Sequence, residues 1–482
     1  MGGPPERGPA EHGPPEGGLW SAGPWRVGKW LGRGRCLAEN ESSGRCLAVG
    51  GTLPNERVFV DVERTRWKTW GNAVAVVDAA PERVAPRCPH VGNCPGCVML
   101  HVDEQTEDHY KATVVSEVFR RILGEAGLDL DVPAPNAVRI VAPTRRGGQR
   151  VRAALAWCIV DGRCEVGLRR FDGRIVHAPE CDANAPRLRS LATAFAACWP
   201  SALGADHAEG TLELVAGSHD QVTVWLSQPQ VNSMADAHEP ALASEPSEAE
   251  RVLQRLYARL PPTACVELVS GDPRKPHERR TLARIGDDPV PAPVAGITLS
   301  SSALGWTQPT PAQAERVYDW VVDTLDASGQ HTLDVGSATG GLSLAIGREA
   351  ASVLGIDVDY RAVQAATASA ALHAAAHVIF RGGKAETVLP KLAQATATGH
   401  YTRALINPFR SPLGEDAMSA LVTLGVDRVV YLAPSPTSGA KDAVHLLRAG
   451  FRIESLGVAS LHPGTAQGMA CVVLSLASRD RA

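Results

Sequence analysis

The sequence predicts a multidomain protein: a small N-terminal β-barrel, an α+β central domain with a cysteine loop, and a C-terminal doubly wound α/β domain. Three observations predict it. Short alternating segments such as RCLAVGG, ERVFVDV and NAVAVVD, separated by Gly and Pro-Asn turns, run from Trp25 to Val84 and read as barrel strands. Three cysteines then crowd into CPHVGNCPGC. From Pro311 the pattern alternates helix and strand, with a glycine loop after the first strand.

At 482 residues the chain is too long for one domain, and 44% hydrophobic with 21% charged residues is an ordinary globular composition. The expected divisions are a disordered Gly/Pro-rich tail at 1–20, the barrel at 21–85, the central domain at 86–300 and the α/β domain at 301–482. The tail lacks the apolar stretch of a secretory signal, and no apolar run is long enough to span a membrane. Eleven cysteines in a chain of this size do not make a disulfide scaffold, so a reducing, cytoplasmic setting and a monomer are expected.

After the cysteine loop, Tyr110, Val114, Val115, Val118 and Ile122 recur at helical spacing and predict a helix from about Glu107 to Glu125. The segment VRAALAWCIVDGRCEVGLRRF predicts a hairpin turning at Asp161-Gly162. The acidic, Ala- and Pro-rich stretch at 235–250 reads as a surface loop or helix start. PAQAERVYDWVVDTL is an amphipathic helix, HTLDVGSATGG a strand and loop, and SVLGIDVD a second strand. ALINPF, VDRVVYLAP and MACVVLSLA are later strands.

Two motifs carry chemistry. In the first, Asp334, Gly336 and Gly340 stand in a D-x-G-x-x-x-G loop, and Asp357 ends the next strand. Glycines let the backbone approach a ligand, and an acid in that place accepts both hydroxyls of a ribose. The spacing fits an S-adenosylmethionine loop better than the dinucleotide G-x-G-x-x-G; an ordinary strand–helix turn is the plainer alternative. The second motif is Cys88-x5-Cys94-x2-Cys97, with Cys181 as a distant fourth thiol. Four thiolates suit an iron–sulfur cluster, zinc is the competitor, and unrelated free thiols are the remaining alternative. Cys36, Cys46, Cys158, Cys164, Cys198 and Cys265 read as packing residues. Arginines concentrate between Arg139 and Arg189, a local basic patch in a chain of net charge −4. It reads as RNA contact or as a solvated charged face.

From about Trp25 to Ala477 these pieces, in this order, resemble the RNA uracil-C5 methyltransferases that make 5-methyluridine in tRNA and 23S rRNA. Leu53-Pro54-Asn55-Glu56-Arg57-Val58 is similar to the LPGE-V signature of that family's TRAM domain, an OB-like RNA-binding barrel. CPHVGNCPGC with Leu100-His101 is similar to its 4Fe-4S loop, and Cys181 in APEC to its fourth ligand. GLRRFDGRIVHAPEC resembles its central domain, and Trp306-Thr307-Gln308-Pro309-Thr310 stands where the family has F-x-Q-x-N. The resemblance implies an RNA partner (tRNA or 23S rRNA), a 4Fe-4S cluster on Cys88, Cys94, Cys97 and Cys181, and S-adenosylmethionine held by Gln308, Asp334, Gly336, Gly340, Asp357 and Asn407.

The departures fall on the chemistry. Such enzymes add a cysteine thiolate to carbon 6 of a flipped-out uracil, transfer the methyl group to carbon 5, and remove the carbon 5 proton with a glutamate. The Y-V-S-C-N-P segment here reads Tyr431-Leu432-Ala433-Pro434-Ser435-Pro436, so Pro434 takes the nucleophile's place. Met469 takes the place of the glutamate. The D-P-P-R loop becomes Asn407-Pro408-Phe409-Arg410, and the adenine-side acid becomes Lys384, which could pair with Asp357. An aromatic-Arg-Asn run becomes Gly147-Gly148-Gln149. No catalytic residue is assigned. The expectation is an RNA-binding family member impaired in 5-methyluridine formation. The alternatives are transfer to another atom, for which the N-P-F loop is similar to that of amino-nitrogen methyltransferases, or a displaced nucleophile at Cys471. On an apolar strand Cys471 reads rather as core.

Overall fold

The computed structural model describes residues 23–64, 69–170, 172–204, 208–226, 246–263, 265–271, 279–287, 290–291, 293–300 and 308–476. The expected tail, Trp306, Thr307 and most of the 235–250 stretch lie outside them.

Strands β1 (Trp25–Leu31), β2 (Arg35–Asn40), β3 (Cys46–Gly50), β4 (Arg57–Arg64) and β5 (Thr69–Asp78) close a barrel in the order β1-β2-β3-β5-β4. Alternation selects its core: Trp25, Val27, Cys36, Ala38, Val49, Val58 and Val60 are buried. Asn55 takes the left-handed turn position (φ 69) that a glycine fills in the similar signature, and asparagine tolerates it better than most residues. Beside it the buried Glu56 accepts the Leu53 amide at 2.8 Å and pairs with Arg83 at 2.7 Å, closing the loop onto the residues that lead into the cysteines.

Helix α1 (Glu104–Glu125) starts earlier than its apolar spacing predicts, because Asp103 caps it by accepting the Thr106 amide at 2.6 Å. Tyr110 fastens it to the barrel. Its hydroxyl takes the Gly34 amide at 2.7 Å and its ring meets Trp30 edge-on at 4.8 Å. Strand β6 (Arg139–Ala142) follows.

The central sheet comes next. β7 (Arg152–Val160) and β8 (Arg163–Arg169) form the expected hairpin, with Asp161 and Gly162 both at positive φ (51° and 70°). Then come β9 (Ile175–His177), α2 (Pro186–Leu203), β10 (Glu209–Val215), β11 (Gly217–His219) and β12 (Gln221–Leu226). Helix α3 (Glu248–Tyr257), capped by Ser247, precedes β13 (Cys265–Ser270), β14 (Arg280–Gly286) and β15 (Val290–Pro291). Seven strands pair in the order β14-β13-β12-β10-β7-β8-β9, while β11 pairs with β15. Helices α2 and α3 bury Leu188, Phe195, Trp199, Val252 and Leu256 against one face of the larger sheet.

The last third supplies α4 (Pro311–Leu325), β16 (His331–Val335), α5 (Gly341–Gly347), β17 (Ser352–Asp357), α6 (Tyr360–Leu372) and β18 (Val378–Gly382). It continues with α7 (Ala385–Ala395), β19 (Arg403–Ile406), α8 (Glu415–Leu424), β20 (Arg428–Ala433), α9 (Pro436–Arg448), β21 (Phe451–Ala459) and β22 (Met469–Leu476). The sheet order is β18-β17-β16-β19-β20-β22-β21-β6, parallel from β18 to β20, with β22 antiparallel to both its neighbours. Strand β6 joins its edge beside β21, and Val115 and Phe119 of α1 share a core with Tyr431 and Val444. The chain therefore leaves the barrel, adds α1 and β6 to this sheet, and only afterwards builds the central one. No helix among the described residues is long and apolar enough to cross a membrane.

Candidate functional site

Strand order reverses between β16 and β19, and a crevice opens at the carboxyl ends of those two strands. Gly336 turns the chain out of β16 at φ +89°. A Cβ there would stand 2.2 Å from the Asn407 carbonyl oxygen, so only glycine lets the two strand ends approach. The Asn407 amide in turn donates to the Val335 carbonyl at 2.7 Å. β19 stops at Ile406, short of the ALINPF expectation, since Pro408 carries no amide to extend the ladder.

A narrow cavity of about 30 Å³ lies here, lined among others by Gln308, Asp334, Gly336, Ser337, Ala338 and Asn407, and roofed by Val151, Val215 and Ala216 of the central sheet region. Gln308 Oε1, Asp334 Oδ1 and Ser337 Oγ are buried at it without a hydrogen-bond partner. Unpaired buried polar atoms are costly, and their convergence on one cleft fits a polar ligand there. The other Asp334 oxygen accepts from Ser343 at 2.5 Å, and burial pushes this carboxyl up to about 7.

Asp357 sits at the end of β17 beside the cleft. Its two oxygens take the Ala338 and Asp359 amides, each at 2.8 Å, and burial raises its pKa. A carboxylate has about four acceptor sites, so both oxygens can still receive hydroxyls. Lys384 forms no ion pair with it; its backbone begins α7. Val358 and Tyr360, 66% and 70% exposed, flank the carboxylate with apolar surface. Gly340, at φ +87°, opens α5 with the Phe380 ring packed where its Cβ would be. Four of the six sequence-predicted cofactor positions, Gln308, Asp334, Gly336 and Asn407, line the crevice; Asp357 is tied to it through the Ala338 amide, and Gly340 lies outside its lining.

The residues expected at the family's nucleophile and base positions, Pro434 and Met469, are also brought together. β20 and β22 are paired to Ala433↔Ala470, so Pro434 and Met469 are the next residues beyond that pair. Pro434 is exposed, whereas Met469 is buried in an apolar cluster with Val141, Leu461 and Cys471. Cys471 is fully buried and its thiol is pushed far above the ordinary cysteine range. A thiol so held supplies no thiolate.

The loop before β22 contains a residue that sequence reading passed over. The His462 ring is mostly buried, and burial together with Arg150, Lys111 and Arg410 lowers its pKa to about 4. The imidazole is therefore neutral at physiological pH. It lies three residues after the end of β21, with no motif around it to mark it in the sequence.

Cys88, Cys94, Cys97 and Cys181 lie close enough to influence one another. Burial raises the Cys94 and Cys97 thiols, that of Cys97 to about 11; Cys181 and Cys88 raise Cys94 further, and Cys181, Cys94 and Cys88 raise Cys97. Asn93 of the loop receives Arg170 from the central sheet region, tying the two stretches together. Among the described residues, however, no group of three or more Cys, His, Asp or Glu side chains is arranged to hold a metal ion. The gathered thiols suit a soft metal by their chemistry, but their present arrangement is not a ligand set. Cys158 lies on β7 opposite Glu165, and Cys164, Cys198 and Cys265 are buried, as packing residues are.

The glycine loop, the acid on the second strand and the sheet order define a Rossmann-like methyltransferase fold carrying an N-terminal barrel. The crystal structure of Pyrococcus abyssi tRNA (uracil-54, C5)-methyltransferase in complex with S-adenosyl-L-homocysteine shares this fold, with a TM-score of 0.67 at 16% identity over 93% of this chain and 100% of that one. In sequence the chain is 26% identical over 427 residues (87% of this chain, 88% of the relative) to the 23S rRNA (uracil(1939)-C(5))-methyltransferase RlmD of Vibrio cholerae. It is 28% identical over 471 residues (93% and 95%) to the protein of the same name from Alkalilimnicola ehrlichii. No family model matches the chain. Over most of its length the chain is therefore similar to RNA uracil-C5 methyltransferases.

Proposed function

We propose that the protein binds RNA (tRNA or 23S rRNA) and S-adenosylmethionine as a member of this family, and that it does not form 5-methyluridine by the covalent route. The observation that carries this is the pair Pro434 and Met469 beyond the Ala433↔Ala470 rung. Proline has no nucleophile, methionine takes no proton, and the nearby Cys471 is sealed in apolar core. Gln308, Asp334, Gly336, Gly340, Asp357 and Asn407 would hold the cofactor, which supplies an electrophilic methyl group when bound. The unpaired buried oxygens of Gln308 and Asp334 support that assignment. The barrel and the arginines of the central stretch would contact RNA phosphates.

The test combines full-length protein with S-adenosylmethionine and with tRNA or 23S rRNA transcripts, followed by nucleoside mass spectrometry. The same nucleosides are compared in cells lacking the gene. The expected result is no 5-methyluridine; its appearance overturns the proposal. A second reading, transfer to an exocyclic amino nitrogen, is favoured by Asn407 lining the cleft. It fails if calorimetry finds no S-adenosylmethionine binding. A 4Fe-4S cluster on Cys88, Cys94, Cys97 and Cys181 is proposed from the resemblance, with the mutual influence of the thiols as support. Iron and acid-labile sulfide analysis of anaerobically purified protein tests it.

A further inference from the structure

We propose that Phe409 and Arg410 form a stacking platform for one unpaired RNA base at the mouth of the cleft. This rests on the RNA-binding reading above.

Phe409 is 79% exposed, the highest value among the large apolar side chains described. Isolated exposed aromatics are unremarkable on a mobile surface, but this one is on a loop held at both ends. Asn407, two residues earlier, is fixed to β16 and lines the cleft. On the other side the Ser438 hydroxyl of α9 donates to the Arg410 carbonyl at 2.5 Å. The fully buried Asp442 takes the Leu413 and Gly414 amides at 2.8 and 2.9 Å, and is itself held by the Tyr431 hydroxyl at 2.6 Å. The ring is thus held in water, two residues from the cleft, with no apolar neighbour covering it.

Arg410 lays its guanidinium over that ring, 5.8 Å from the centroid. An aromatic face with a cation beside it offers stacking to a base and a charge to its phosphate. Arg150 of the central stretch acts on the same His462 ring as Arg410, so a second guanidinium lies in the neighbourhood. Every base has a π-face, so such a platform takes single strands of any sequence and excludes a duplex, whose bases are already stacked.

The experiment uses full-length protein and a fluorescein-labelled single-stranded RNA of about 12 nucleotides, free or annealed to its complement. Binding is followed by anisotropy over a salt series. Phe409→Leu, which keeps apolar volume but loses the π-face, is expected to weaken single-strand binding by about tenfold to hundredfold and leave the duplex unaffected. Phe409→Trp is expected to bind as tightly as wild type. Arg410→Ala is expected to reduce the slope of log K against log salt by about 0.7, while Phe409→Leu leaves that slope unchanged. Equal binding by wild type and Phe409→Leu, or equal losses for single strand and duplex, overturns the platform alone. Failure of the wild type to bind either RNA overturns the RNA-binding reading with it.

Discussion

Pro434 and Met469 are the next residues past the Ala433↔Ala470 rung of β20 and β22, although thirty-odd residues of helix, strand and loop separate them in the chain. One lies at a strand end open to solvent, the other in packed core. The two substitutions therefore have different consequences.

Pro434→Cys places a thiol at an exposed position and is expected to leave stability nearly unchanged. With RNA containing 5-fluorouridine and S-adenosylmethionine, the variant should form a covalent complex on denaturing gels, because fluorine cannot leave as the carbon 5 proton does. Wild type should form none. Met469→Glu puts a carboxylate among Val141, Leu461 and Cys471 and should cost on the order of 3 kcal/mol. Urea unfolding measures this. A variant as stable as wild type would mean that the site is wetter than its packing implies.

Cys471 is expected to resist alkylation by iodoacetamide at pH 8 in the folded protein and to react fully in urea, since burial raises its thiol. Cys471→Ala should cost about 1–2 kcal/mol through lost packing and change no nucleoside product. Any activity abolished by this substitution would restore Cys471 as a nucleophile.

Asp334 should make the protein lose stability as pH rises. Its folded pKa, about 7, stands above the ordinary value of 3.8, so folding takes up a proton between them. The stabilisation is fully present below about pH 4 and is lost as pH rises through about 7. Asp334→Asn should flatten this dependence and raise the melting temperature more at pH 8 than at pH 5. Thermal unfolding across that range decides it; equal shifts at both pH values would show that Asp334 is ionised throughout. The Ser343 hydroxyl can still donate to the amide oxygen, so the fold is expected to survive.

Lys111 is fully buried, 2.6 Å from Glu107 and 2.5 Å from the Ser460 hydroxyl. Glu107 also receives Arg146 at 2.6 Å and the Gly464 amide at 2.8 Å. The network thus joins α1 to the His462 loop, and Met99 of the cysteine stretch adds a bond to the Gly464 carbonyl at 2.9 Å. Removing Lys111 strips a buried cationic partner from Glu107 and leaves it only Arg146 and the Gly464 amide. Lys111→Met should cost about 3–5 kcal/mol, and combining it with Glu107→Gln should cost less than the sum of the two. Additive losses in a double-mutant cycle would show that the two groups act independently.

The barrel, the Asp161-Gly162 hairpin and the alternating C-terminal elements were legible because local periodicity and turn chemistry specify them. Asp334, Gly336, Gly340 and Asp357 were legible for the same reason: a glycine turn and a strand-end acid are short-range patterns. The capture of α1 and β6 by the last sheet was not, because β6 is a four-residue strand whose partner lies more than three hundred residues on. The same holds for His462, whose environment comes from Arg150, Lys111 and Arg410 on separate stretches of chain. The expectation that Pro434 and Met469 stand at the nucleophile and base positions comes from the sequence resemblance. Only the tertiary structure decided that Met469 is sealed in core while Pro434 and Phe409 meet solvent, because burial depends on which distant elements pack above a strand end.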